Sequence, residues 1–131
     1  MNRRTLILSA AALALAPVTA MAEMIAYSPG TAEAAINAGD TVFVDFAADW
    51  CSTCRSQERT INALRDANPA YDANITFYRV DWDQYGSGDL ATSLNVPRRS
   101  TLVMFRDGVE VGRVVAGTRE ADIRALLDTG L

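Results

Sequence analysis

Six consecutive residues, Thr41-Val42-Phe43-Val44-Asp45-Phe46, are β-branched or aromatic with one polar exception. A strand with one wet face alternates apolar and polar side chains. This run does not, so it is expected at the centre of a sheet covered on both faces. Such a strand needs helices on either side, and the rest of the chain supplies them. Residues 24–28 are a short candidate strand. Pro29-Gly30 interrupts it, Thr31 is placed to cap a helix through about residue 38, and Gly39-Asp40 stops that helix. A helix over 51–67 ends at Asn68-Pro69, because the residue before a proline leaves the helical region. Residues 75–80 form the next strand and 87–94 a helix opened by Gly86 and Gly88. Residues 101–106 and 109–115 flank Asp107-Gly108, a two-residue hairpin signal. Thr118 is placed to cap a last helix with an apolar stripe of Ile123, Leu126 and Leu127. The order β-α-β-α-β-α-β-β-α predicts an α/β fold, a central mixed β-sheet flanked by helices and antiparallel at its final hairpin.

The chain has 131 residues, half of them hydrophobic, which suits one domain. Its start is set apart. Arg3 and Arg4 are positive, residues 6–16 are apolar, Pro17 breaks the run, and Ala20-Met21-Ala22 offers small residues to a signal peptidase. The apolar run is short for a bilayer span. Residues 1–22 are therefore expected to be a cleaved secretory signal and 23–131 the domain. Asn2-Arg3-Arg4-Thr5-Leu6 also resembles a twin-arginine signal, so the export route stays open.

The 12 basic residues are all arginine, the acidic residues number 16, and there is no histidine. Without Arg3 and Arg4 ten basic residues remain, and 10 − 16 gives a net charge of −6. An acidic surface argues against nucleic acid and anionic membrane as partners. The missing histidines exclude Ser-His and Cys-His catalysis and His-ligated metals.

The two cysteines, Cys51 and Cys54, fall between a predicted strand and a predicted helix. That context points to a redox pair. Cys51 sits where the helix N-terminus favours a thiolate, and is expected to be the exposed, attacking thiol. Cys54, one turn on and in line with Ile61, is expected to be more buried and to resolve the mixed disulfide, leaving a Cys51–Cys54 bridge. Three other readings compete, one of them two unrelated core cysteines, which the strand-to-helix context argues against. A structural disulfide closing so short a loop would stabilise little. Zinc wants four ligands, and one chain offers two thiols.

The stretch Val44-Asp45-Phe46-Ala47-Ala48-Asp49-Trp50-Cys51-Ser52-Thr53-Cys54 resembles the thioredoxin active-site segment, and the element order resembles the thioredoxin fold over the whole of 23–131. Ala48-Asp49-Trp50-Cys51 is also similar to the soluble C-terminal domain of the bacterial membrane disulfide-interchange reductase. The resemblance implies a thiol–disulfide oxidoreductase without a cofactor beyond its redox-active disulfide. It implies that Asp45 is the family's buried acid, able to take a proton from Cys54. Arg79 matches a family lysine on the neighbouring strand and is expected to pair with Asp45 and hold it ionised. Trp50 matches the tryptophan beside the nucleophile, which either shields the site or packs in the core. Three departures stand out: Ser52-Thr53 replaces the usual Gly-Pro, Arg59 replaces a helix-kinking proline, and Ser100 precedes Thr101-Leu102 where the family has a cis-proline. A cis bond before serine costs about 3–4 kcal/mol, so the Arg99–Ser100 bond is expected to be either trans or cis with strain beside the site. The serine hydroxyl would lie close to sulfur.

Three functions follow. The first is a periplasmic or otherwise exported monomer that reduces disulfides of exported proteins. It would be reloaded by a membrane-embedded thiol reductase and would not itself stay inserted in the membrane. The second is a disulfide-donating oxidase. The third is a module in which the cysteine pairs of two molecules share a metal or iron–sulfur cluster.

Overall fold

The computed structural model describes residues 23–131 together with Ala11; the expected signal segment otherwise lies outside the described residues. Among the described residues five strands, β1 (Ile25–Ala26), β2 (Val42–Ala47), β3 (Thr76–Asp81), β4 (Thr101–Arg106) and β5 (Val109–Val115), form one sheet of order β1-β3-β2-β4-β5. Six helices accompany them: α1 (Thr31–Asn37), α2 (Ser52–Ala67), α3 (Ala70–Asn74), α4 (Trp82–Tyr85), α5 (Asp89–Ser93) and α6 (Glu120–Asp128). Strands β1, β3 and β2 run parallel, while β4 is antiparallel to both β2 and β5. The sheet is therefore mixed and β2 is its centre, with every residue buried.

Alternation along β2 divides its side chains between two cores. Val42, Val44 and Phe46 pack with Ile36 of α1, Leu90 of α5 and Val103. Phe43 packs on the other face, with Ile61 and Leu64 of α2 and Ile123 and Leu127 of α6. It is fully buried, and truncating such a side chain to alanine costs about 3–5 kcal/mol. Asp45, two residues from Phe43, shares the α2 face by the same period. The buried side of α2 is the stripe Cys54, Gln57, Ile61, Leu64 and Arg65. The helix thus brings its first turn down onto the end of β2.

The hairpin forms as its sequence demands. Asp107 and Gly108 have φ of 52° and 78°, the two left-handed residues a tight type I′ turn requires. Other details differ from expectation. Cys51 is the N-cap of α2 rather than its first residue. The helix expected over 87–94 forms only as the shorter α5, and α3 and α4 were not expected. The Asp81 side chain accepts the Asp83 N–H at 3.1 Å and so starts α4 directly at the end of β3. Gly86 then stops that turn where the chain passes so close to Trp82 that a Cβ would lie 2.6 Å from its carbonyl oxygen. Thr31 does not cap α1: Gly30 holds that position, and the Thr31 hydroxyl donates to the Ser28 carbonyl at 2.7 Å. Thr118 likewise leaves the cap of α6 to Arg119.

Candidate active site

Cys51 has extended backbone at the mouth of α2, and its Sγ accepts the Cys54 N–H at 3.2 Å. A sulfur here satisfies one of the orphan donors of the helix end and faces the positive pole of the helix dipole. Both thiols are unbridged, and each residue is 3 % exposed. The expected contrast in exposure is therefore absent. What distinguishes the two cysteines is their hydrogen bonding. Burial pushes the Cys51 thiol up, but this is outweighed by hydrogen bonds from the Cys54 thiol, the Ser100 hydroxyl, the Cys54 N–H and Arg99, which bring it down to about 6. Burial pushes Cys54 up, and its hydrogen bond to Cys51 pushes it further. At neutral pH the geometry gives one thiolate, on Cys51, and one thiol, on Cys54.

Ser100 stands over both. Its Oγ lies 3.2 Å from Cys51 Sγ and 3.0 Å from Cys54 Sγ. The Arg99–Ser100 bond is trans, since the described residues contain no cis peptide, and Ser100 has a φ of 63°. Thr101 follows it into β4, fully buried, with its hydroxyl donating to the Arg98 carbonyl at 2.7 Å.

Asp45 is 2 % exposed, and its Oδ1 has no hydrogen-bond partner among the described residues. Burial pushes the carboxyl up to about 7; the nearby Arg79 charge opposes this, while Glu58 and Cys51 add to it. The expected Asp45–Arg79 pair does not form. The two residues are register partners on β2 and β3, yet the Arg79 guanidinium reaches Asp49 instead, at 2.9 Å. Asp49 is almost wholly exposed and Arg79 is partly so, so the arginine keeps its charge in water and leaves the buried acid without a direct counter-ion.

Trp50 is not a core residue. It is 57 % exposed, its Nε1 donates to the Asp83 carboxylate at 2.9 Å, and the Arg99 guanidinium lies 4.3 Å from its ring centroid. The three side chains form a small surface assembly beside Cys51. Trp82, from α4, packs against the cluster that Ala47, Ala48 and the two cysteines form.

Gln57 was not singled out from the sequence. It is fully buried, and its Nε2 donates to the Ser100 carbonyl at 3.0 Å and to the Gly117 carbonyl at 2.9 Å. Helix α2 therefore carries both Cys54 and the clamp on the loop facing it. The available signal was spacing, since Gln57 lies in the apolar stripe between Cys54 and Ile61. Arg99, Trp82 and Asp83 were also missed: Arg99 lies in the loop before β4, and Trp82 and Asp83 lie on the short helix α4, whose positions no local pattern specifies.

A buried, polarised dithiol at the N-terminus of the helix that follows the central strand of such a sheet defines a thiol–disulfide oxidoreductase of thioredoxin fold. Comparison with known proteins agrees. Residues 23–129 match the family model described as Thioredoxin. A thioredoxin of Echinococcus granulosus is 35 % identical over 95 residues, covering 72 % of this chain and 82 % of that protein. Thioredoxin-1 of Saccharomyces cerevisiae is 33 % identical over 94 residues, covering 72 % and 85 %. The crystal structure of Trxlp from Edwardsiella tarda EIB202 superposes with a TM-score of 0.67 at 30 % identity, covering 82 % of this chain and 98 % of that one. The chain belongs to the thioredoxin family. As in that family, the dithiol is itself the redox group and the reaction needs no cofactor. Among the described residues no set of three or more potential ligands is placed to hold a metal ion.

Proposed function

We propose that this oxidoreductase works outside the cytoplasm, reducing disulfides of exported proteins and being recharged by a membrane-embedded thiol reductase. The observation that carries the direction is the ionisation of Cys51, held at about 6. That is near the value of about 7 found in thioredoxin, a reductant, and far from the value of about 3.5 found in a strong oxidant of disulfides. Cys51 attacks a substrate sulfur, Cys54 resolves the mixed disulfide, and Asp45 accepts the proton that Cys54 gives up. Export is supported by the Arg3-Arg4 start, the apolar run over 6–16 and the Ala20-Met21-Ala22 site. An oxidising compartment would leave the pair as a disulfide, which is why an electron donor is part of the proposal. The likeness of Ala48-Asp49-Trp50-Cys51 to a membrane reductase domain supports that donor's class. The working form is a monomer that binds neither nucleic acid nor the bilayer.

One observation favours a second reading, a disulfide donor: hydrogen bonds to Cys51 stabilise the reduced pair over the disulfide. Equilibration against glutathione or dithiothreitol separates the two. A potential near about −270 mV supports the reductant, and one near about −120 mV would make the chain a donor.

A further inference from the structure

Every polar group of Ser100 is engaged. Its N–H donates to the Phe46 carbonyl at 2.7 Å, and its carbonyl accepts the Ala116 N–H at 2.8 Å and Gln57 Nε2 at 3.0 Å. These bonds hold a serine at a φ of 63°, a left-handed conformation unfavourable for any residue with a Cβ. Their effect is to fix one group, the hydroxyl, in a fully buried position between two sulfurs. A hydroxyl has one proton and two lone pairs. It can donate to one sulfur while accepting from the other, and it can exchange those roles by rotation about a single bond. The proline that the resembling family places here has no donor to offer.

We propose that Ser100 is a catalytic residue of the exchange reaction, its hydroxyl proton following the negative charge from Cys51 to Cys54. The proposal rests on the oxidoreductase reading and adds a third participant to it. In the reduced pair the hydroxyl and the Cys54 S–H both donate to the Cys51 thiolate. Cys51 Sγ then attacks one sulfur of the substrate disulfide. The new bond joins Cys51 to that sulfur, the substrate S–S bond breaks, and the departing thiolate takes a proton from solvent. Cys51 is now neutral and no longer holds the hydroxyl proton. Cys54 releases its proton, to Asp45 or to water, and the hydroxyl turns to donate to the Cys54 thiolate. Cys54 attacks Cys51 Sγ, the Cys51–substrate bond breaks, and the second substrate thiolate leaves and is protonated. The protein has gone from dithiol to disulfide and the substrate from disulfide to two thiols, so atoms and electrons balance.

The charged groups around the pair act alongside this step. Arg99 favours the Cys51 thiolate, while Asp45 and Cys51 oppose one another's ionisation, and Glu58 adds to the charge near Asp45. Among the hydrogen-bonding groups around the pair, the Ser100 hydroxyl is the side chain that touches both sulfurs. A hydrogen bond to a thiolate is stronger than one to a neutral disulfide sulfur. The hydroxyl therefore favours the reduced pair.

Two variants test it, Ser100→Ala and Ser100→Gly. Both lose the hydroxyl, and glycine alone relaxes the backbone. Three quantities are read: the pH profile of Cys51 alkylation by iodoacetamide, the rate at which Cys54 resolves a preformed mixed disulfide, and the equilibrium with glutathione. The expected result is the same in both variants. The alkylation midpoint moves to higher pH, resolution slows about tenfold, and the glutathione equilibrium moves about tenfold toward the protein disulfide. Unchanged profiles and resolution rates in both variants, with a parent that exchanges disulfides normally, would overturn the role of Ser100. So would a glycine variant that behaves as the parent while the alanine variant does not, since the backbone would then be responsible. A parent that exchanges no disulfide at all would instead overturn the oxidoreductase reading, and this proposal with it.

Discussion

Asp45 is held in a place that disfavours its charge. With the carboxyl raised to about 7 by burial, the native state keeps a proton that the unfolded chain gives up at about pH 4. Below that pH both states are protonated and the burial costs nothing extra. As the pH climbs toward 7 the unfolded chain ionises first, so stability falls, and the loss is complete above 7. Its size is on the order of a few kcal/mol. Asp45→Asn removes this slope. In urea denaturation the variant is expected to match its parent at about pH 3 and to exceed it by a few kcal/mol at about pH 8, while resolving mixed disulfides more slowly. An equal difference at the two pH values would contradict this account. The other expectation for Asp45, a direct Arg79 partner, failed for a reason of reach. Register places the two side by side, but a long, partly exposed arginine side chain can turn its head group to the exposed Asp49.

At the scale of elements, α2 and the turn before β4 act as one unit through Gln57. Replacing Gln57 with leucine leaves the Ser100 and Gly117 carbonyls without this donor. The expected loss is roughly 1–3 kcal/mol in urea denaturation, together with a higher pH midpoint for Cys51 alkylation as the hydroxyl loses its fixed position. A variant with full stability and an unshifted midpoint would show that the clamp is dispensable. Legibility in the sequence followed the source of each element. Strand β2 could be read because burial on both faces leaves an unbroken apolar run, and the β4–β5 hairpin because Asp107-Gly108 admits few other conformations. Helix α4 could not, because it depends on a side-chain cap at Asp81 and a close approach to Trp82. The dithiol was legible from spacing and context. Gln57 was not, because a polar residue in a helix is ordinarily placed in water, and only its position in the apolar stripe of α2 says otherwise. The Ser100 hydroxyl could be placed near the sulfurs, while its contact with both depends on the backbone geometry of a loop.

For the whole molecule, the fold sets a reactive pair at the end of the central strand of an acidic domain. Export predicts that the protein recovered outside the cytoplasm begins at Glu23, which intact mass would establish; a chain found there with residues 1–22 still attached would contradict cleavage. The division of labour between the cysteines is the central claim, and it depends on hydrogen bonds rather than exposure, since both thiols are equally buried. Cys54→Ser retains the thiolate and loses the resolving sulfur, whereas Cys51→Ser retains only the thiol whose ionisation is pushed up. The most direct measurement is trapping with each variant in turn, followed by diagonal gels of the captured mixed disulfides. Cys54→Ser is predicted to accumulate covalent complexes that dithiothreitol releases, and Cys51→Ser to form almost none; equal trapping by the two variants would contradict the assignment of attack to Cys51 and resolution to Cys54.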